Sequence, residues 1–217
     1  MKKWLIGAAV AVVLIVVGWI VGTKIYASNA SSDAAPPTVS AGSETANADA
    51  DIDGDWKVGG GDTFAGYRVG EVLNDQQISV TGRTDQVTGT VTVKDKELTA
   101  ANIEVDMASV KTDSDRRDGY FANRAIDVAT NPKATFTVTS PVKVAGTGAV
   151  EVPGEMTIKG KTVPVTAKIT VAKVGDGLEA AGTVDVTWRD FDVEPPNMGF
   201  VSVEETGSIE FKLKLSK

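Results

Sequence analysis

The sequence contains no cysteine and no histidine in 217 residues. Their absence excludes disulfides, iron–sulfur clusters, zinc sites built on thiolates or imidazoles, and nucleophilic catalysis that depends on a histidine base. It also removes the usual general base near neutral pH. Lysine and arginine number 22 against 29 aspartates and glutamates and form no basic block, which argues against nucleic-acid binding. Composition therefore gives no support to the common classes of enzyme or to a nucleic-acid-binding protein.

Charge is absent from residues 4–22, which directly follow Lys2 and Lys3. A helix of this length rises about 28 Å, close to the roughly 30 Å of bilayer hydrocarbon, whereas the apolar core of a signal peptide has only about 7–15 residues. Because the positive charges cluster before this run, the N-terminus is expected in the cytoplasm and the rest of the chain outside it. We predict that residues 1–26 form a single-pass anchor in the cell membrane; a signal peptide cleaved after Ala30 is the alternative.

Residues 27–54 are built mainly from Ala, Ser, Asn, Asp, Thr and Pro, and aromatic side chains stop at Tyr26. Such a segment cannot bury enough apolar area to offset its chain entropy, so we predict a disordered linker. The remaining residues, 55–217, are numerous enough for one domain with a single core. The linker would tether this domain to the membrane.

Apolar and polar residues alternate along most of the domain, which predicts strands with one buried face. The alternating runs lie at residues 87–93, 103–107, 135–142, 150–158, 163–171, 178–188 and 209–215. Turn residues at 145–148, 159–161 and 174–177 predict hairpin loops between antiparallel neighbours. About eight such strands would form either a sandwich or a closed barrel. Residues 114–125 break the alternation and predict a short helix that caps one end of the sheet.

Two charged clusters are candidate polar sites. Residues 113–118 hold three aspartates and two arginines, and Arg189 and Asp190 lie between Trp188 and Phe191. Local ion pairing on a solvated surface explains both clusters without a catalytic role. Neither pattern is specific enough to predict an enzyme, and no metal site or cofactor is predicted.

Five segments, in this order, resemble those of one known family. They are Trp56-Lys57-Val58; residues 109–112 followed by Arg116-Arg117-Asp118 and Phe121; residues 131–136; the hairpin at residues 154–162; and Trp188-Arg189-Asp190-Phe191. Together they resemble the YceI-like family of bacterial envelope proteins, described as lipid- or polyisoprenoid-binding, over residues 56–215. Residues 62–66 depart from the family, which usually has a His-Ser pair near the first strand.

The resemblance implies an all-β, lipocalin-like antiparallel barrel of about eight strands, with an apolar interior that holds an isoprenoid or other lipid chain. A barrel of eight strands can enclose one elongated ligand, although the same alternation would also suit a filled core. We therefore expect a non-catalytic binding protein; a filled barrel that acts as an envelope interaction module is the alternative. Membrane contact is expected through the N-terminal helix, and a homodimer is left open.

Alternation and side-chain size predict the residues that contact the ligand. They are Phe64, Tyr67, Val69, Val91, Val105, Met107, Phe121, Phe136, Met156, Ile158, Val184, Val186, Trp188, Phe191 and Arg189. Thioethers adapt to varied ligand shapes, which draws attention to Met107 and Met156. Tyr67 and Arg189 are the candidates for a polar head group at the mouth of the barrel.

Overall fold

The computed structural model describes residues 34–40, 47, 50–73, 75–144, 146–197, 199 and 201–217. The predicted membrane anchor, residues 1–26, lies outside this part of the chain. Within the described residues, no helix is both long enough and apolar enough to span a bilayer.

The strands of the described residues form one antiparallel sheet of eleven strands. The strands are β1 (Gly54–Val58), β2 (Phe64–Leu73), β3 (Gln76–Thr84), β4 (Val87–Lys94), β5 (Glu97–Asp106), β6 (Lys133–Val138), β7 (Val142–Lys143), β8 (Gly148–Ile158), β9 (Lys161–Val174), β10 (Gly177–Thr187) and β11 (Val201–Ser216). Their β-branched residues suit a pleated surface that is buried on one side.

Eight of these strands close into a barrel in the order β1-β4-β5-β6-β8-β9-β10-β11, because β1 pairs with both β4 and β11. Closure removes the unpaired edges that an open sheet would leave. The prediction of an antiparallel barrel of about eight strands is thereby confirmed. β11 is long enough to pair with β1 near Leu215 and with β2 from Val201 to Lys212, and β2 in turn pairs with β3.

The connection between β5 and β6 carries the predicted short helix. A 3₁₀ turn at Met107–Ser109 leads to α1 (Asp115–Tyr120), which continues into a π-helical turn at Phe121–Ala125. The hydroxyl and the backbone N–H of Thr112 each donate to Asp118 Oδ1 at 2.8 Å, which ties the segment before α1 to the fourth residue of the helix. We call residues 115–125 the cap segment.

A predicted hairpin loop and the predicted linker differ from the sequence-based expectations. Residues 145–148 do not join a hairpin, since β7 pairs with β5 while β8 pairs with β6 and β9. Part of the segment predicted as linker lies against the barrel, because Ile52 is buried and its carbonyl accepts from Trp56 Nε1 at 3.0 Å. An apolar side chain such as Ile52, isolated in a polar stretch, gives no periodic signal but still gains from burial.

Candidate functional site

A cavity of about 560 Å³ lies inside the barrel and is lined mainly by apolar side chains. We call the end of the barrel that carries the β4–β5 and β9–β10 turns the closed end. The buried residues Ile52, Leu98 and Val144 line the cavity there. We call the other end the mouth. The lining there includes the exposed residues Tyr120 and Glu194. The volume is within the range of about 300–1,000 Å³ that small-molecule sites occupy.

Small side chains at inward positions explain why the barrel is hollow. An eight-stranded barrel is only just wide enough for its own side chains to fill. Five inward positions are alanines, each from a different strand: Ala65, Ala101, Ala134, Ala167 and Ala180. Each alanine leaves unfilled the volume that a Leu or Phe would take, so the interior keeps a space instead of a packed core.

Arg117 of α1 organises the charges at the mouth. Its guanidinium lies 3.6 Å from the carboxylate of Glu71 on β2 and 2.6 Å from that of Asp113. The Glu71 side chain is buried, so the arginine supplies the positive charge that a buried carboxylate needs. The contact also joins the cap segment to β2 across the rim of the cavity.

Tyr67, Phe121 and Trp188 form a cluster of aromatic rings on the cavity wall near the mouth. The rings of Tyr67 and Phe121 stack with centroids 5.4 Å apart, and Trp188 meets Tyr67 edge-on at 6.3 Å. Tyr67 can occupy this place because its neighbour on β3 is Gly82, where a Cβ would lie 2.5 Å from Tyr67 Cε1. Burial raises the pKa of Tyr67 to about 12, against the lowering influence of Arg117.

The structure brings together eleven of the fifteen residues predicted to contact a ligand. Those that line the cavity are Tyr67, Val69, Val91, Val105, Met107, Phe121, Phe136, Met156, Ile158, Val184 and Trp188. Ligand contact by these residues remains a prediction. The indole Nε1 of Trp188 is buried and has no hydrogen-bond partner among the described residues.

The other four predicted residues, Phe64, Val186, Phe191 and Arg189, lie outside the cavity. Phe64 is on the outer face of β2, since inward residues there are odd-numbered, and its ring packs 4.2 Å from the Arg83 guanidinium. Val186, near the end of β10, and Phe191, in the 3₁₀ turn at Trp188–Phe191, are buried and border a separate groove. Arg189 is exposed, pairs with Glu205 at 3.3 Å and does not line the cavity as predicted.

Sequence reasoning missed the charged pair Glu71–Arg117 and the role of the inward alanines. Glu71 is an odd-numbered residue of β2, so alternation alone places it on the inner face with Tyr67 and Val69. The inward position of Glu71 could therefore be predicted from the sequence. Its pairing with Arg117 could not, because Arg117 reaches Glu71 only after the cap segment folds over the barrel end.

Residues 56–215 match the family described as the YceI-like domain. The chain belongs to the YceI-like family. Protein YceI of Salmonella arizonae is 33% identical over 116 residues, which are 48% of this chain and 59% of the relative. A UPF0312 protein of Pseudomonas savastanoi is 32% identical over 107 residues, 46% of this chain and 55% of the relative. The chain thus spans little more than half the length of these relatives.

Two solved structures share the fold of this YceI-like domain. BcnA of Burkholderia cenocepacia superposes with a TM-score of 0.57 at 23% identity, covering 70% of this chain and 96% of BcnA. A polyisoprenoid-binding domain from Saccharophagus degradans gives a TM-score of 0.59 at 18% identity, covering 74% of this chain and 97% of that domain. Both likenesses extend over nearly the whole of the other chain, so the barrel architecture is shared.

Proposed function

We propose that this protein is a non-catalytic lipid carrier that holds an isoprenoid or another long apolar chain inside its barrel. The observation that carries the proposal is the cavity of about 560 Å³ with its apolar lining. Each 100 Å² of apolar ligand surface removed from water contributes about 2.5 kcal/mol to binding. The polyisoprenoid-binding domain from Saccharophagus degradans has the same fold, which supports this ligand class for the present chain.

The charges at the mouth fit binding better than catalysis. Glu71, the buried carboxylate of the cavity lining, and Asp113 both face Arg117, a cation that never deprotonates in proteins. An acid–base catalyst needs a group that can exchange a proton near the working pH. We therefore assign the cluster to closing and shaping the mouth.

We further propose that the carrier is held at the outer side of the cell membrane by residues 1–26. The support is the uncharged run at residues 4–22 behind Lys2 and Lys3, which has the length of a bilayer-spanning helix. A tethered carrier would exchange its ligand with the adjacent bilayer, where long-chain lipids are concentrated.

Native mass spectrometry of residues 34–217, purified from a bacterial host without detergent, tests the carrier proposal. We expect a mass excess that organic extraction identifies as an isoprenoid or acyl lipid. A bare polypeptide mass that does not rise after incubation with a polyprenyl alcohol would refute lipid carriage. That outcome would favour the alternative of an envelope interaction module.

A matched pair of variants locates the ligand. Ala167→Phe places a large ring inside the cavity, whereas Thr166→Phe places the same ring on the outer face of β9, where Thr166 is exposed. We expect the first variant to lose the bound lipid and the second to keep it. Equal lipid content in both variants would place the ligand outside the barrel.

A further inference from the structure

Residues 34–40, which we call the strap, lie on the outside of the barrel across β2, β3 and β11. Arg68 Nη2 donates to the carbonyl of Ala34 and Arg83 Nη2 to that of Ala35, both at 2.6 Å. Both guanidiniums also bind the carboxylate of Glu210, at 2.6 and 2.9 Å. The Glu210 side chain is 3% exposed, so the start of the strap rests on a buried charge cluster.

The strap ends on a second buried cluster, nearer the closed end. Ser40 donates its backbone N–H and its hydroxyl to the two oxygens of Glu179, at 2.7 and 2.9 Å, and Lys212 Nζ donates to Ser40 Oγ at 3.2 Å. Glu179 is 1% exposed. Ala34 therefore lies beside Glu210 of β11, and Ser40 lies beside Lys212, two residues further along the same strand.

The next described residues, Asn47 and residues 50–52, lie at the closed end. Asn47 pairs with Thr147, which precedes β8, and Ile52 enters the closed end of the cavity. Followed backwards from Ser40, the strap therefore runs away from the closed end and towards the mouth. Ala34, the first described residue, is therefore the end of the strap nearer the mouth.

Little chain separates the strap from the proposed anchor. Eight residues lead from Tyr26 to Ala34, and fully extended they reach about 28 Å. Ser208 of β11 lies opposite Arg68, and β11 begins with Val201 at the mouth. The distance along the strand between Ser208 and Val201 is about 23 Å. A tether of this length lets the mouth reach the bilayer surface. It is also much shorter than a tether made of all of residues 27–54 would be.

The outer surface of the cap segment has the chemistry of a membrane-interface contact. Tyr120 is exposed at the mouth, and Arg116 and Arg124 are exposed four residues before and after it. Neither arginine makes an ion pair within the described part of the chain. An amphipathic ring between two cations suits the headgroup region of an anionic bilayer, where each cation adds to the attraction.

We propose that the mouth of the cavity faces the membrane and that Arg116, Tyr120 and Arg124 rest on its anionic lipid surface. The strap favours this orientation because Ala34, where the tether joins it, is its end nearer the mouth. A lipid could then pass between bilayer and cavity without crossing water. The inference rests on the proposed membrane anchor and deepens the carrier function.

Single-cysteine labelling tests the orientation directly, because the chain has no cysteine of its own. Gly119→Cys lies on α1, where a Cβ meets no atom within 4 Å, and Asp176→Cys lies in the β9–β10 turn at the closed end. The full chain, labelled with NBD, is reconstituted into vesicles of phosphatidylcholine and phosphatidylglycerol that contain spin-labelled lipid. We expect quenching several-fold stronger at position 119 than at position 176.

Equal quenching at the two positions, or stronger quenching at position 176, would overturn the orientation while leaving the carrier proposal intact. Failure of the full chain to float with the vesicles would overturn the anchor and the orientation together. Arg116→Ala with Arg124→Ala should weaken quenching at position 119, and Lys94→Ala with Lys143→Ala, exposed cations at the closed end, should not. Unchanged quenching in the arginine variant would refute the contact of these arginines with lipid.

Discussion

Tyr67 and Phe121 stack at an interplanar angle of 11°, and this contact joins β2 to the cap segment. The second link between the same two elements is the ion pair of Glu71 with Arg117, two inward positions further along β2. The cap segment is therefore held over the mouth by one aromatic and one charged contact. Its π-helical turn, which places Phe121 against Tyr67, is a feature that often occurs at functional sites.

Replacing Phe121 with alanine removes the stacked ring and should loosen the cap segment. We expect a loss of about 1–3 kcal/mol in the free energy of unfolding, below the ~3–5 kcal/mol of a fully buried phenylalanine because Phe121 is only partly buried. Urea unfolding measures the change. Tyr120→Ala, next to it but exposed, is the control and should cost much less; equal losses would contradict the role assigned to the stack.

Glu210→Gln leaves the guanidiniums of Arg68 and Arg83 without their shared carboxylate. We expect a cost of about 2–4 kcal/mol in stability, somewhat under the value for a fully buried ion pair, since the arginine side chains are 23% and 25% exposed. Thermal and urea unfolding provide the measurement. Glu205→Gln breaks the exposed pair with Arg189 and should change stability by less than about 0.5 kcal/mol.

Ser40→Ala should loosen the end of the strap, although the backbone N–H at this position still donates to Glu179. The change removes the hydroxyl that donates to Glu179 and accepts from Lys212, and we expect a loss of about 1 kcal/mol in stability. Hydrogen exchange of residues 34–40 should become faster. Thr38→Ala alters an exposed strap residue and serves as the comparison; a Ser40 variant that exchanges as slowly as the Thr38 variant would argue against strap docking.

Hydrogen bonds from Lys212 and Lys214 lower the pKa of Asp62 from 3.8 to about 2. Because the pKa is depressed in the folded protein, the stabilisation is complete above the unfolded value of 3.8 and is lost as the pH falls towards 2. The difference in unfolding free energy between the native chain and Asp62→Asn should therefore shrink over this interval. Urea unfolding at a series of pH values, with Asp176→Asn as control, gives the comparison.

The alternation of apolar and polar residues determined much of the architecture before any tertiary contact was considered. It located most of the barrel strands, and eleven of the fifteen residues predicted for the interior line the cavity, because the inward face of a strand depends only on local parity. The same rule separates Phe64 from Tyr67, which have opposite parity on β2, so the misplacement of Phe64 was avoidable. The break in alternation at residues 114–125 likewise marks the cap segment.

Only the tertiary structure decided whether the barrel is hollow, which charges meet at the mouth and where the strap lies. Whether inward alanines leave a cavity depends on the number of strands in the ring and on what faces each alanine across it. The pairs Glu71–Arg117 and Ser40–Glu179 join residues far apart in the chain. No local pattern encodes such pairs, because their geometry exists only once the barrel has closed and the cap segment and strap have docked on it.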